Sequence, residues 1–117
     1  NDTLTGGAGA DSFVFAAAPG AGNVDSITDF VSGADKAAFD NSVFTALGAD
    51  GNFSAGDARF AAGAGFTSGH DASDRIVYNT TTGQLFYDAD GSGAGGAQLI
   101  ATFQGAPAIA ATDITVL

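Results

Sequence analysis

The chain has 117 residues, with 13 acidic side chains against 3 Lys plus Arg, for a formal net charge of −10. That length suits one domain around one modest core. So few cations exclude a phosphate-gripping surface, and with it nucleic acid as a partner, because only Lys36, Arg59 and Arg75 are available.

Every acid is an aspartate, and 18 residues are glycine. Helical surfaces use Glu and Lys freely, whereas Asp, Gly, Ser, Thr and Asn serve turns, so the composition predicts strands joined by many turns. Clustered aspartates repel one another until a cation is placed among them, and hard divalent ions accept carboxylate and carbonyl oxygens readily. With no cysteine there is no disulfide and no thiolate metal site. No apolar stretch reaches the ~20 residues that span a bilayer, so stable membrane insertion is not expected. The chain opens inside a motif, which implies a piece of something longer.

In chain order, Gly6-Gly7-Ala8-Gly9-Ala10-Asp11-Ser12-Phe13-Val14 matches G-G-x-G-x-D-x-U-x at every specified position, where U is a large apolar residue. Asn1 to Thr5 supplies the back half of a preceding copy, so that Asp2 and Asp11 stand nine apart, as do Leu4 and Phe13. An isolated glycine-rich turn is often only a turn; the period makes this one specific. Here the chain resembles the RTX (repeats-in-toxin) family, whose nonapeptides wind a parallel β-roll with Ca²⁺ between stacked turns. The resemblance implies metal ligands from Asp2, Asp11 and the backbone of Gly6, Gly7, Ala8 and Gly9. Same-side turns in that family lie two repeats apart, so the partner of the Asp11 turn is expected 18 residues on, at Asp29. The stretch between, Ala16 to Gly22, reads as a loop of variable length.

Residues 23–40 resemble the segment that follows the roll in serralysin-like proteases and other type I secreted proteins, through Asp25, Ile27, Asp29, Phe30, Gly33, Asp35 and Lys36. Ile27 and Phe30 are core candidates. Asp25, Asp29 and Asp35 are candidate terminal ligands, each with a turn or cap role as the plain alternative. Ala37-Ala38-Phe39-Asp40 departs from the apolar and acidic alternation usual there.

Residues 41–74 show no strong period and read as irregular structure anchored by Phe44, Leu47, Phe53, Phe60 and Phe66. Short helical turns are expected near Val43 to Leu47, and from Ser54, where Ser54-Ala55-Gly56-Asp57 resembles a capping box. Arg75 to Asn79 and Gln84 to Asp88, joined by Thr80-Thr81-Thr82-Gly83, predict a hairpin, with Gln98 to Phe103 as a third strand.

Between the last two, Asp88-Ala89-Asp90-Gly91 resembles the opening of an EF-hand but lacks its closing Glu. Gly91, Gly93 and Gly96 spell G-x-G-x-x-G, yet no helix is expected to follow. A hairpin loop is the plain reading, and a weak extra calcium site at Asp88 and Asp90 is the alternative.

Residues 74–113 and the terminal Asp113-Ile114-Thr115-Val116-Leu117 resemble the C-terminal segment of RTX proteins exported by type I ABC transporters, in which the secretion information is C-terminal. The same pentapeptide also reads as an edge strand. No HExxH motif and no nucleophile elbow appears, and the lone His70 sits in a polar turn. Catalysis is therefore expected elsewhere in a parent protein.

The expectation is a mainly β fold in one domain: a short parallel β-roll and capping segment over residues 1–40, a connecting region over 41–74, and an antiparallel β-rich cap with the secretion signal over 75–117. The implied module binds Ca²⁺, is a monomer, meets an ABC exporter transiently, and folds outside the cell or at its surface. The rivals are a surface-structural or adhesive β module with a protein or glycan partner, and a small calcium-dependent hydrolase fragment.

Overall fold

The structure, a computed structural model, describes residues 3–16, 24–48, 51–67, 69, 72–89, 91 and 97–117. The fold is mainly β, with two mixed sheets and short 3-10 turns. The strands are β1 (Thr3–Leu4), β2 (Ser12–Phe15), β3 (Asp25–Ile27), β4 (Lys36–Phe39), β5 (Gly51–Asn52), β6 (Phe60–Gly63), β7 (Ile76–Asn79), β8 (Gln84–Tyr87), β9 (Gln98–Phe103) and β10 (Ile114–Val116). One sheet runs β1-β3-β9-β8-β7-β6 and the other β2-β4-β10-β5.

Successive short strands alternate between the two sheets, and this produces coils. Leu4 pairs with Ile27, and Ile27 with Phe103, all parallel. In the other sheet Phe13 pairs with Ala37 and Ala37 with Ile114, again parallel. Three coils therefore stack: β1 with β2, β3 with β4, and β9 with β10. Their connecting turns, residues 5–11, 28–35 and 104–113, lie on one side.

The stacking offset is 23 residues at Leu4 and Ile27 and 24 at Phe13 and Ala37, which corrects the expected 18. Residue 29 thus stands opposite Gly6, and the residue opposite Asp11 is Asp35. The physical reason is the long connection between β2 and β3: added residues there shift every later partner without disturbing either turn.

Alternation within β2 buries Phe13 and Phe15 and leaves Ser12 and Val14 exposed. The rings then form two runs. Phe30, at the second turn, lies 6.0 Å from Phe13 and 5.0 Å edge-on from Phe103, which in turn meets Tyr78. Phe15 stacks on Phe39, which meets Phe44 edge-on, and Phe44 meets Tyr87. Edge-on aromatic pairs add to simple burial, and Ile27 and Phe30 are core residues as expected.

The hairpin of β7 and β8 and its third strand β9 form as the alternation predicts. Asn79 shapes the hairpin turn by accepting the N–H groups of Thr81, Thr82 and Gly65 on one oxygen. A 3-10 turn spans Thr45–Leu47. No helix starts at Ser54: Asp57 reaches back to the Ser54 N–H, but its carboxylate is taken by Arg59, and the chain makes a turn and then enters β6, parallel to β7. Among the described residues no helix is long and apolar enough to cross a membrane.

Candidate metal site

The site is built where the first two turns stack. Thr28 donates its N–H to the Leu4 carbonyl at 3.0 Å, and the Thr5 and Thr28 hydroxyls meet at 2.6 Å, so the strand ladder continues into the turns. Asp29 then accepts two consecutive N–H groups, Gly6 at 2.8 Å and Gly7 at 2.7 Å. Gly7 and Gly9 both have positive φ, 81° and 92°, which turns the chain tightly at little steric cost only without a Cβ. Hydrogen bonds from Gly6 and then Gly7 hold the Asp29 carboxyl below its ordinary range.

At the other end of the turn Asp11 donates its N–H to Asp35 Oδ1 at 2.9 Å, and Val31 donates to Asp35 Oδ2 at 2.9 Å. Lys36 N donates to the Asp11 carbonyl at 2.8 Å. Phe30, locked between two rings, fixes the second turn that carries both acids. Asp29 and Asp35 each use both oxygens as acceptors for backbone donors, and each oxygen keeps a second lone pair.

Asp11 differs. Its Oδ2 is buried without a hydrogen-bond partner. The side chain folds over Gly6 so closely that a Cβ on that glycine would run into the carboxylate. An open cleft of about 450 Å³ adjoins it, lined by Leu4, Gly6, Asp11 and Phe13 among others. A buried carboxylate oxygen is costly unless paired, hydrogen-bonded or bound to a metal. A carboxylate oxygen with main-chain carbonyls nearby is the donor type that a hard divalent cation of the calcium kind takes.

The other sequence candidates are distributed differently. Asp25 opens β3, at the opposite end of that strand from the turn. Asp88 is fully buried at the end of β8 and accepts the Gly69 N–H at 3.0 Å, again at the end of the sheet away from the turns. Asp2 and Asp90 lie outside the described residues, as does His70. Among the described residues no three His, Cys, Asp or Glu side chains converge as a metal centre. An ion at the first turn would thus rest on Asp11 and on main-chain oxygens.

By sequence alone Asp113 stands out only as the acid before a terminal apolar run. It is 1 % exposed, and it accepts Gly33 N on Oδ1 at 2.9 Å and Ala110 N and Ser32 Oγ on Oδ2 at 2.9 and 2.5 Å. The signal that finds it is recurrence: an aspartate closes the turn before each of β2, β4 and β10.

The chain matches no family model, and neither a curated protein nor a solved structure matches it.

Proposed function

We propose that this chain is a calcium-binding roll module of an exported protein, folding when Ca²⁺ reaches its first turn, and that it carries no catalysis itself. The observation that bears most weight is the buried, partnerless Oδ2 of Asp11 beside a turn in which Gly7 and Gly9 have positive φ and Gly6 has no room for a Cβ. Asp11, with carbonyl oxygens of the Gly6 to Gly9 turn, would hold the ion. A divalent cation neutralises carboxylates that otherwise repel, and binding energy becomes folding energy when the unfolded chain has no formed site.

The remaining aspartates of the site have a structural task in this reading. Asp29 and Asp35 staple the second turn to the first through backbone N–H groups, which shapes the first turn before any ion arrives. In the unfolded chain, repulsion among 13 aspartates and the entropy of 18 glycines oppose collapse, which suits passage through an ABC exporter in a calcium-poor compartment. The exporter would read the C-terminal segment around Asp113 to Leu117 before β10 is buried.

The test is isothermal titration of the chain and of D11N with CaCl₂ at neutral pH. Heat of binding at millimolar calcium or below is expected for the parent chain, with D11N losing most of it. Equal heats in both, or none in the parent, refute the assignment.

A further inference from the structure

The second turn is gripped from both sides. Toward the first coil, its Asp29 and Asp35 accept the N–H groups of Gly6, Gly7 and Asp11. Toward the third, Ser32 Oγ and Gly33 N donate to Asp113, and Lys36 Nζ donates to the Thr112 carbonyl. Ser32 and Gly33 lie between Val31 and Asp35, the two residues joined by the Val31 N–H to Asp35 carboxylate bond. Whatever fixes Ser32 and Gly33 therefore fixes the carboxylate that holds the backbone of Asp11.

Asp113 is well placed to do this. Its carboxylate is buried, and its three donors come from two segments, Ala110 on its own turn and Ser32 with Gly33 on the second. Charge-assisted bonds of this kind are about twice as strong as neutral ones, and losing the acceptor leaves buried donors unsatisfied. The residue next to it, Ile114, is fully buried and begins β10, which pairs with β4.

We propose that Asp113 is a positioning residue for the metal turn, acting through Ser32, Gly33 and Asp35, so that occupation of the first turn and burial of β10 reinforce each other. This rests on the calcium reading above. Asp113 touches no ion; its effect is to hold the second turn where Asp35 meets the Asp11 N–H. Linkage is reciprocal, so a residue that raises calcium affinity by securing β10 makes calcium secure β10 by the same factor.

The experiment uses the 117-residue chain, with D113N and S32A as variants. Calcium affinity is measured by titration calorimetry, and amide hydrogen exchange at Ile114 to Val116 is followed with and without calcium. The expected results are affinity about tenfold weaker in D113N and about threefold weaker in S32A, with calcium slowing exchange in β10 of the parent and slowing it less in each variant. A role confined to local packing would lower overall stability but leave this calcium-dependent difference in exchange unchanged. S32A leaves the carboxylate its two backbone donors, so it answers the question even if D113N does not fold. Parent affinity in folded S32A, or β10 exchange indifferent to calcium in a parent that binds it, overturns the proposal. A parent that binds no calcium overturns the reading beneath it as well, and the titration alone reveals which has failed.

Discussion

Asp57 and Arg59 show how firmly one charge is tuned by its neighbours. Arg59 donates from Nε to Asp57 Oδ1 at 3.0 Å and from Nη2 to Oδ2 at 2.8 Å, while Nη1 reaches the Leu47 carbonyl and the guanidinium lies 3.9 Å over the Phe53 ring. The Arg59 side chain holds the Asp57 carboxyl down to about 2, against an ordinary 3.8. A folded-state value below the unfolded one gives stability that is present above pH 3.8 and lost as pH falls through about 2. Solvent screening limits this to about 1 kcal/mol. Asp29, through Gly6 and Gly7, and Asp40, through Ser42, are lowered too and act in the same direction. Urea unfolding is expected to show D57N losing about 1 kcal/mol at pH 7 and closing most of that gap near pH 2. At this scale the Gly6 to Asp11 turn was legible, because a glycine at each required position and an acid at a fixed offset leave few other readings. The stapling by Asp29, Asp35 and Asp113 was not, because which N–H a carboxylate accepts is decided by a turn distant in sequence.

Among the elements, β10 repays closest attention. It is no edge strand: it lies between β4, parallel to it, and β5, antiparallel, with Ile114 and Val116 buried. Ile114→Ala is expected to cost about 2 to 4 kcal/mol, since deletion of a buried branched side chain loses transfer free energy and leaves a cavity. Urea unfolding followed by circular dichroism measures it. The β7 and β8 hairpin could be read from sequence because both strands and their glycine-ended turn are contiguous. Parallel partners carry no such local mark. Alternation states which face a residue takes but not which strand lies beside it, so neither the closure of β9 and β10 on β3 and β4 nor the offset across the β2 to β3 connection was readable. The strand β6, within a region read as irregular, was missed for the same reason: its pairing with β7 is parallel and its residues are mostly small.

For the molecule as a whole, the net charge of −10 sets the tone. Three cationic side chains cannot neutralise 13 acids, and self-repulsion disfavours the compact state. Without divalent ions, raising NaCl from about 10 to 150 mM shortens the screening length from about 30 to 8 Å. The calcium-free chain is therefore expected to melt a few degrees higher in the saltier buffer, as read by scanning calorimetry. The coil order adds a kinetic consequence. Residues 40–97 separate the second coil from the strands that lie directly upon it, so the closing contacts span a large part of the chain. Contacts that distant pay loop-closure entropy before they return anything, and the first two coils have no closing partner until β9 and β10 are in place. The roll stays open-ended until β9 and β10 reach β3 and β4, and its completion is timed by their arrival.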